Sequence, residues 1–390
     1  MKKANTILIM FLLAMSACGE GDKQAAETIT VDVSTDYPEK ELILQDIMDV
    51  EYIPLETTDE FITKGIVKAI GKNLLLVTNQ SSDGDIFIFD RKSGKGLKKI
   101  NRMGQGAEEY SYVSAIALDE EKQEMFVSDF GIRKILVYDL SGNFKRSFKN
   151  AGASYYNNLF NYDRDHLITY KSYSTPEENK QACHILVSKQ DGSVAHEIRI
   201  PYKEMETPVI KKDEFVVSPE FHLTYPTHTD WVLVNTSSDT LYRYSPDGNI
   251  SPLIARTPSI HAMETQIFLF PTVITDRYYF MRTMKKEMNF KTFKGFPSTD
   301  LVYDNQNKTL SGYTLYNADY SNKQQVSLGL SFNGIVNHEI ATCQSLEAAS
   351  LIEDNEKGRL QGRLKEIASG LNEESNAVIL LIKYRNNSLL

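Results

Sequence analysis

KILVYDLSGNFKRSF, residues 134–148, contains an apolar strand, a turn with Gly142, and then a second strand. The turns of this stretch and of four similar ones are 48, 50, 56 and 59 positions apart. A repeat of about fifty residues is typical of the four-stranded blades of a β-propeller. The pattern therefore predicts an all-β fold. The other four stretches are residues 85–100, 184–198, 240–254 and 300–313.

The end of the chain is predicted to complete a sixth blade. Residues 328–342 supply strands, and residues 377–384 (AVILLIKY) form an apolar run typical of a strand buried on both faces. We expect an N-terminal strand at 42–55 to pair in this blade, because closure by both termini removes exposed sheet edges. The first five blades are predicted at about 66–102, 113–150, 158–201, 215–256 and 266–313.

A helical segment interrupts the closing blade. Residues 345–371 carry apolar side chains at helical spacing and charged side chains between them. We expect this stripe to pack on the propeller, and a helix that docks a partner is the alternative. The predicted fold is thus a six-bladed β-propeller over residues 42–385, with a short helical insertion at 345–371.

The N-terminus carries the pattern of a lipoprotein signal peptide over residues 1–17. A short positive region precedes an apolar stretch that is too short to span a bilayer. The sequence MSAC then resembles a lipobox, in which Cys18 is acylated and becomes the mature N-terminus. An ordinary secretory signal is the alternative. Residues 18–41 are predicted to be a flexible acidic tether. These features predict an outer-membrane lipoprotein that faces either the cell surface or the periplasm.

Several segments resemble one protein family. They are IPLETTDE at 53–60, MGQGAEEY at 103–110, the blade pattern at 126–148 and ESNAVILLIKY at 374–384. In this combination the chain resembles the six-bladed, NHL-like β-propeller lipoproteins of Bacteroidota over residues 42–385. The resemblance implies a fold and a cell-envelope location. It implies no reaction, since most members of that family have no established activity.

Candidate ligand contacts lie on loops expected around one opening of the ring. Aromatic faces stack on sugar rings or apolar groups, and guanidinium groups bind carboxylates. The alternative is that these residues are ordinary surface side chains of a tyrosine-rich protein. For the pair Arg102 and Glu109, the alternative is a structural latch between blades. The candidates are Arg102, Glu109, Tyr110, Tyr112, Arg133, Tyr155, Tyr156, His261 and Arg282.

Residues 284–296 (MKKEMNFKTFKGF) alternate lysines with phenylalanines. Such alternation can bind nucleic acid or an acidic glycan. The alternative is a long insertion whose phenylalanines pack on the fifth blade while the lysines stay in water. A formal net charge of −9 argues against nucleic acid as a partner.

The sequence contains no recognisable catalytic or metal-binding motif. His222 and His228 are six positions apart, a spacing that suits neither a helical pair nor a local strand pair with a third ligand. There is no Gly-x-Ser-x-Gly elbow, whereas carboxylate pairs assembled from distant blades remain open. No metal and no cofactor are predicted. Cys183 and Cys343 could pair in an oxidising compartment. Because they lie on blades across the ring, they are predicted to be two buried thiols instead.

These observations favour a non-enzymatic, lipid-anchored binding or interaction module of the cell envelope. Its ligand would be a glycan, a peptide or an envelope protein, held at the loop face around the central channel. Contact with the membrane would be through the lipid anchor only. The alternative is a hydrolase or lyase acting on polysaccharide, which would bring three or more His, Asp or Glu side chains together at the channel mouth.

Overall fold

The computed structural model of the chain describes residues 28–79, 83–328 and 337–385. Six of the eight β-sheets in these residues are consecutive blades, which confirms the predicted six-bladed β-propeller. Blades 1 to 3 each have four antiparallel strands in chain order. The strands of blade 1 are Ile66–Ile70, Leu74–Thr78, Asp85–Asp90 and Gly96–Asn101. Those of blade 2 are Ala115–Asp119, Glu124–Asp129, Lys134–Asp139 and Phe144–Lys149. Those of blade 3 are Tyr155–Asn161, His166–Ser172, Cys183–Ser188 and Val194–Ile198.

Blades 4 and 5 have a fifth strand each. In both blades the extra strand comes from the N-terminal segment and pairs in parallel with the outer strand. Blade 4 begins at Thr224 rather than at the predicted residue 215, because a separate hairpin occupies residues 210–217. The strands are Thr224–Pro226, Trp231–Leu233, Thr240–Tyr244, Ile250–Thr257 and Ile29–Asp32 in blade 4; Ile267–Ile274, Tyr278–Lys285, Ser298–Asp304, Thr309–Tyr316 and Glu39–Ile43 in blade 5.

Blade 6 is closed by both ends of the chain, as predicted. Its described strands lie in the order Ile340–Leu346, Val378–Lys383 and Asp49–Pro54. The predicted N-terminal strand at 42–55 is shorter than expected, since a helical turn at Leu44–Ile47 separates the strand in blade 5 from the strand in blade 6. Residues 329–336, within the predicted strand region, lie outside the described residues.

The structure differs from the predicted tether in its second half. Residues 29–32 and 39–43 belong to blades instead of a flexible linker. Ile29, Val31 and Val33 are buried and alternate with more exposed residues. Because alternating side chains of a strand point to opposite faces, this short pattern is enough to cover the outer edge of blade 4. Cys18 and the first part of the predicted tether lie outside the described residues.

A separate hydrophobic cluster lies between each pair of neighbouring blades. Phe87 and Phe89 pack between blades 6 and 1, and Trp231 packs between blades 3 and 4. Cys183 is buried between blades 2 and 3, and Cys343 between blades 6 and 1, in agreement with the prediction of buried thiols. The ring is therefore stabilised by blade-to-blade burial all the way round.

The helical insertion consists of two helices, Ala348–Glu356 and Gly362–Ala368. Their apolar side chains, including Leu351 and Leu364, pack against Val378 of blade 6, which confirms that the stripe faces the propeller. The remaining helical segments are the short turns Leu44–Ile47, Pro176–Asn179, Ala151–Ala153 and Ile260–Ala262. None of the helices in the described part of the chain has the length and apolar content needed to cross a membrane.

Arg146 forms an ion pair within blade 2 and also makes a hydrogen bond to blade 3. Arg146 donates to both carboxylate oxygens of Glu124 at 2.8 Å, and to the carbonyl oxygen of Lys189 at 2.7 Å. The hydrogen bonds from Arg146, together with a bond from Lys145, lower the pKa of Glu124 from 4.5 to about 2. The charged form of Glu124 is thus favoured in the folded protein.

We expect this pair to contribute to acid sensitivity. Because the folded pKa of Glu124 lies below the unfolded value, its stabilisation is complete above pH 4.5 and is lost as the pH falls towards 2. Glu124→Gln should lower stability at pH 6 and show a smaller further loss between pH 6 and pH 3 than the wild type. Thermal unfolding at the two pH values measures both, with the exposed Glu121→Gln as control. Parallel pH curves for wild type and Glu124→Gln would contradict the assignment.

Candidate functional site

A cavity of about 640 Å³ lies where the first strands of blades 1 to 4 begin. These first strands lie beside one another, 66–70 against 115–119 and 115–119 against 155–161, so the cavity is at the central opening of the ring. It is larger than three other cavities in the described part of the chain, each of about 380 to 410 Å³. Its lining residues are Ile66, Lys68, Tyr112, Ser114, Ala115, Phe130, Tyr156, Asn157, Asn158, Phe221, His222 and Leu223.

A β-bulge in blade 3 shapes one wall of the cavity. The pairing of the first two strands shifts register between Asn157 and Phe160. Asn158 has a φ of 60°, in the left-handed region that Asn tolerates better than most residues. The hydroxyl of Thr169 holds this conformation by donating to the carbonyl oxygen of Asn158 at 2.6 Å. The bulge places two consecutive amide side chains at the cavity, an arrangement that a regular strand would not give.

His222 is oriented by the same bulge. Its Nδ1 lies 2.5 Å from Nδ2 of Asn158. An amide nitrogen can only donate, so Nδ1 accepts and the ring proton is on Nε2 in this arrangement. The backbone N–H of His222 donates to the hydroxyl of Tyr225 at 3.1 Å. The cavity therefore has a fixed imidazole in its wall.

Lys68 supplies the positive charge of the cavity. It lies in the middle of the first strand of blade 1, half-buried, between Val67 and Ala69, both of which are buried. Its Nζ donates to the carbonyl oxygen of Ser114 at a long 3.4 Å. Burial lowers the pKa of Lys68. No ion pair between Lys68 and a carboxylate occurs in the described residues.

Aromatic side chains form the rim of the cavity. Phe130 stacks on Tyr155 with ring centroids 4.3 Å apart, and the guanidinium carbon of Arg133 is 4.4 Å from the Tyr155 centroid. Arg133 also donates to the Tyr155 hydroxyl at 2.6 Å. A hydrogen bond from Ser174 and the Arg133 guanidinium lower the pKa of Tyr155. Phe130 and Tyr112 remain 46% and 42% exposed, so their rings are available to a ligand.

The structure brings four of the predicted ligand contacts to this region. Tyr112 and Tyr156 line the cavity, and Arg133 and Tyr155 contact Phe130 or each other at its rim. Tyr156 is buried and its hydroxyl accepts the backbone N–H of Ala151 at 3.0 Å. Tyr156 therefore supports the cavity wall and offers little surface to a ligand.

Three other predicted contacts lie at the junction of blades 1 and 2. Tyr110 is 0% exposed; its hydroxyl donates to the carbonyl oxygen of Gly84 at 2.6 Å and accepts the backbone N–H of Arg102 at 3.0 Å. Arg102 Nε donates to the carbonyl oxygen of Gly142 in blade 2 at 2.8 Å. Glu109 accepts the N–H of Gly106 within its own loop. Arg102 thus links the two blades, as in the latch alternative, but through a backbone carbonyl and not through the predicted pair with Glu109. Tyr110 is buried at the junction and is not part of the candidate site.

The last two predicted contacts lie in blades 4 and 5. His261 Nε2 is 3.1 Å from the carbonyl oxygen of Ser237. Arg282 donates to both carboxylate oxygens of Asp300, at 2.7 and 2.8 Å. Neither residue lines the cavity.

The lysine–phenylalanine loop packs differently from the expectation. It forms a small hairpin, Met288–Asn289 with Lys294–Gly295, beside the hairpin Ile210–Lys212 with Phe215–Val217. The rings of Phe290 and Phe293 lie 6.2 and 6.0 Å from the ring of Phe215. Phe290 and Phe293 of the loop therefore contact the hairpin at residues 210–217. The alternative given from the sequence, packing on the strands of blade 5, does not describe these two rings.

The cavity residues that carry polar chemistry were not predicted. Lys68, Asn157 and Asn158 each lie in an ordinary strand sequence, and His222 was considered only as a metal ligand. A weak signal exists in IVKAI at 66–70, where a lysine interrupts an apolar strand. A charged residue at such a position is unusual unless it faces a ligand, a partner or water.

The titratable groups at the cavity are few among the described residues. In the part of the chain that the structure describes, the cavity lining includes His222 and no Asp or Glu. Within residues 28–79, 83–328 and 337–385 no group of three or more His, Cys, Asp or Glu is placed to hold a metal ion. His228, the other half of the histidine pair, points Nδ1 to the carbonyl oxygen of His338, 2.9 Å away, and does not line the cavity.

Comparisons with known proteins agree with the architecture. A family model described as DUF5128, 6-bladed beta-propeller, matches residues 20–340. No curated protein matches the sequence. The structure is similar to that of a Bacteroides fragilis protein whose name describes it as an exported protein. The TM-score is 0.56, and the sequences are 15% identical over 92% of this chain and 99% of that chain. It is also similar to a DUF4221 family member from Bacteroides vulgatus, with a TM-score of 0.46 and 12% identity over 86% and 96% of the two chains.

Proposed function

We propose, from the premise that this chain belongs to the DUF5128 family of six-bladed β-propellers, that it is a ligand-binding module of the cell envelope. The ligand would enter the central cavity at the beginning of the first strands of blades 1 to 4. The observation that carries the proposal is the composition of that cavity. It combines exposed aromatic rings, two amides, a hydroxyl and one ammonium group in about 640 Å³, a size typical of small-molecule sites.

The geometry favours binding over catalysis. Lys68, Asn157 and Asn158 are fixed on strands, which gives a preformed site with low ordering cost. A hydrolase or lyase would need acids or histidines that converge on one bond, and the lining has the single imidazole of His222, whose Nδ1 accepts from Asn158. No observation favours the enzymatic alternative.

The envelope location is a further part of the proposal. It rests on the signal-peptide pattern at residues 1–17 and the lipobox-like Cys18, with acylation as the only membrane anchor. The similarity to an exported protein supports export. A glycan, a peptide or an envelope protein would be the partner, and the negative net charge disfavours nucleic acid.

A binding screen tests the proposal. Protein without residues 1–18 would be applied to glycan and peptide arrays, together with the double variant Tyr112→Ala, Phe130→Ala. We expect the double variant to lose at least about tenfold in affinity for any ligand that the wild type binds, since both rings are exposed at the cavity. The matched control is Phe215→Ala, Phe293→Ala, which removes two exposed rings of the hairpins. Loss of binding in the control alone, or in neither variant, would reject the cavity as the binding site.

A further inference from the structure

Among the described residues, the partly buried ammonium group of Lys68 has no carboxylate partner. Its Nζ has three hydrogens to donate, and the contact to the Ser114 carbonyl at 3.4 Å uses one of them weakly. Cations that are withdrawn from water are normally paired, because burial without a counter-charge is costly. Lys68 therefore has unused donor capacity directed to the cavity that it lines.

Three buried cations of the same protein follow the normal rule. Lys189 is paired with Asp119 at 2.6 Å, and Arg91 with Glu339 at 2.6 Å. Lys171 is paired with Glu197 at 2.5 Å. These pairs join strands and blades, and each cation has a carboxylate within the fold. Lys68 has no such carboxylate among the described residues, so its ammonium group is able to pair with a ligand in the cavity.

We propose that the cavity binds an acidic saccharide, whose carboxylate pairs with Lys68 and whose ring contacts the aromatic rim. This inference rests on the proposed function, because it names the class of ligand for the same site. A single ammonium group matches the single charge of a carboxylate. The described lining residues include no negative side chain that would repel an anion.

The remaining lining groups fit the uncharged part of such a ligand. The amides of Asn157 and Asn158 can each donate to and accept from sugar hydroxyls. The exposed rings of Tyr112 and Phe130 offer apolar faces to the C–H side of a sugar ring. The burial that lowers the pKa of Lys68 penalises an isolated charge, and a bound carboxylate would offset that penalty.

Paired probes that differ in one charge test the inference. The probes are trisaccharides of galacturonic, glucuronic and mannuronic acid, each compared by calorimetry with its methyl ester. At least one acid is expected to bind about tenfold or more tightly than its ester. Lys68→Met should remove this preference by weakening the acid alone, whereas Lys68→Arg should keep part of it. Lys98→Met, an exposed lysine on the outer strand of blade 1, is the matched control.

The outcomes separate this inference from the proposed function. Equal binding of acids and esters, or an acid preference that survives in Lys68→Met, overturns the role of Lys68. If an ester binds and Tyr112→Ala, Phe130→Ala abolishes it, the cavity remains the binding site and the carboxylate inference alone fails. A further pair of probes is a peptide with a free C-terminal carboxylate and the same peptide with a C-terminal amide. If the protein distinguishes only this pair, the ligand is a peptide and the saccharide inference fails. Thermal unfolding of Lys68→Met checks that the variant is folded.

Discussion

Lys189→Met is expected to lower the free energy of unfolding by about 3–5 kcal/mol, the range seen when one partner of a buried ion pair is removed. Lys189 is 2% exposed, and its Nζ donates to Oδ2 of Asp119 at 2.6 Å. It also donates to the carbonyl oxygen of Asp163 at 2.6 Å. Methionine fills a similar volume but supplies no charge, so the buried carboxylate of Asp119 in blade 2 loses its partner in blade 3.

Urea unfolding measures this effect, and two further variants define its origin. Lys92→Met, at an exposed turn lysine, should change stability by less than about 0.5 kcal/mol. The double variant Asp119→Leu, Lys189→Met should recover part of the loss, because it removes the unpaired charge as well. A loss below about 1 kcal/mol in Lys189→Met would mean that the pair contributes little to the contact of blades 2 and 3.

Asn376→Ala is expected to cost about 2–4 kcal/mol, through buried backbone groups that lose their hydrogen bonds. Asn376 is 4% exposed, and its Oδ1 accepts the backbone N–H of Thr63 at 2.8 Å. Its Nδ2 donates to the carbonyl oxygens of Glu56 at 2.7 Å and Phe61 at 2.6 Å. All three partners lie in the segment that links the closing strand of blade 6 to blade 1.

The same unfolding experiment tests this prediction with graded variants. Asn376→Asp keeps the acceptor for Thr63 and loses the donors, so it should also destabilise the fold. Asn249→Ala, in an exposed turn of blade 4, serves as the control for loss of an asparagine. Equal stability of Asn376→Ala and Asn249→Ala would show that the closure does not depend on this side chain.

The blade repeat was readable in the sequence because each hairpin has its own apolar strands and turn residue. The N-terminal strand at Ile29–Asp32 was missed, since ITVDV is a short alternating pattern that follows a polar segment. Its burial depends on the free edge of blade 4, more than 200 positions later in the chain. A local pattern gives no information on such an edge.

The candidate site was predictable only in part, for a similar reason. The rim residues Tyr112 and Arg133 were found because they lie on loops between predicted strands. Lys68 and Asn158 were not found, because they come together from blades 1 and 3 and the bulge at Asn158 depends on tertiary contacts. Tyr110 shows the opposite error, since its loop was placed correctly while its side chain points into the junction of two blades.

The N-terminal segment pairs with blades 4, 5 and 6 in succession, and this order has a consequence for biogenesis. Its strands leave the ribosome first, whereas their partners at residues 250–257, 309–316 and 378–383 are made last. Pairs so distant in sequence form late and slowly during folding. The ring therefore cannot close until almost the whole chain has been synthesised.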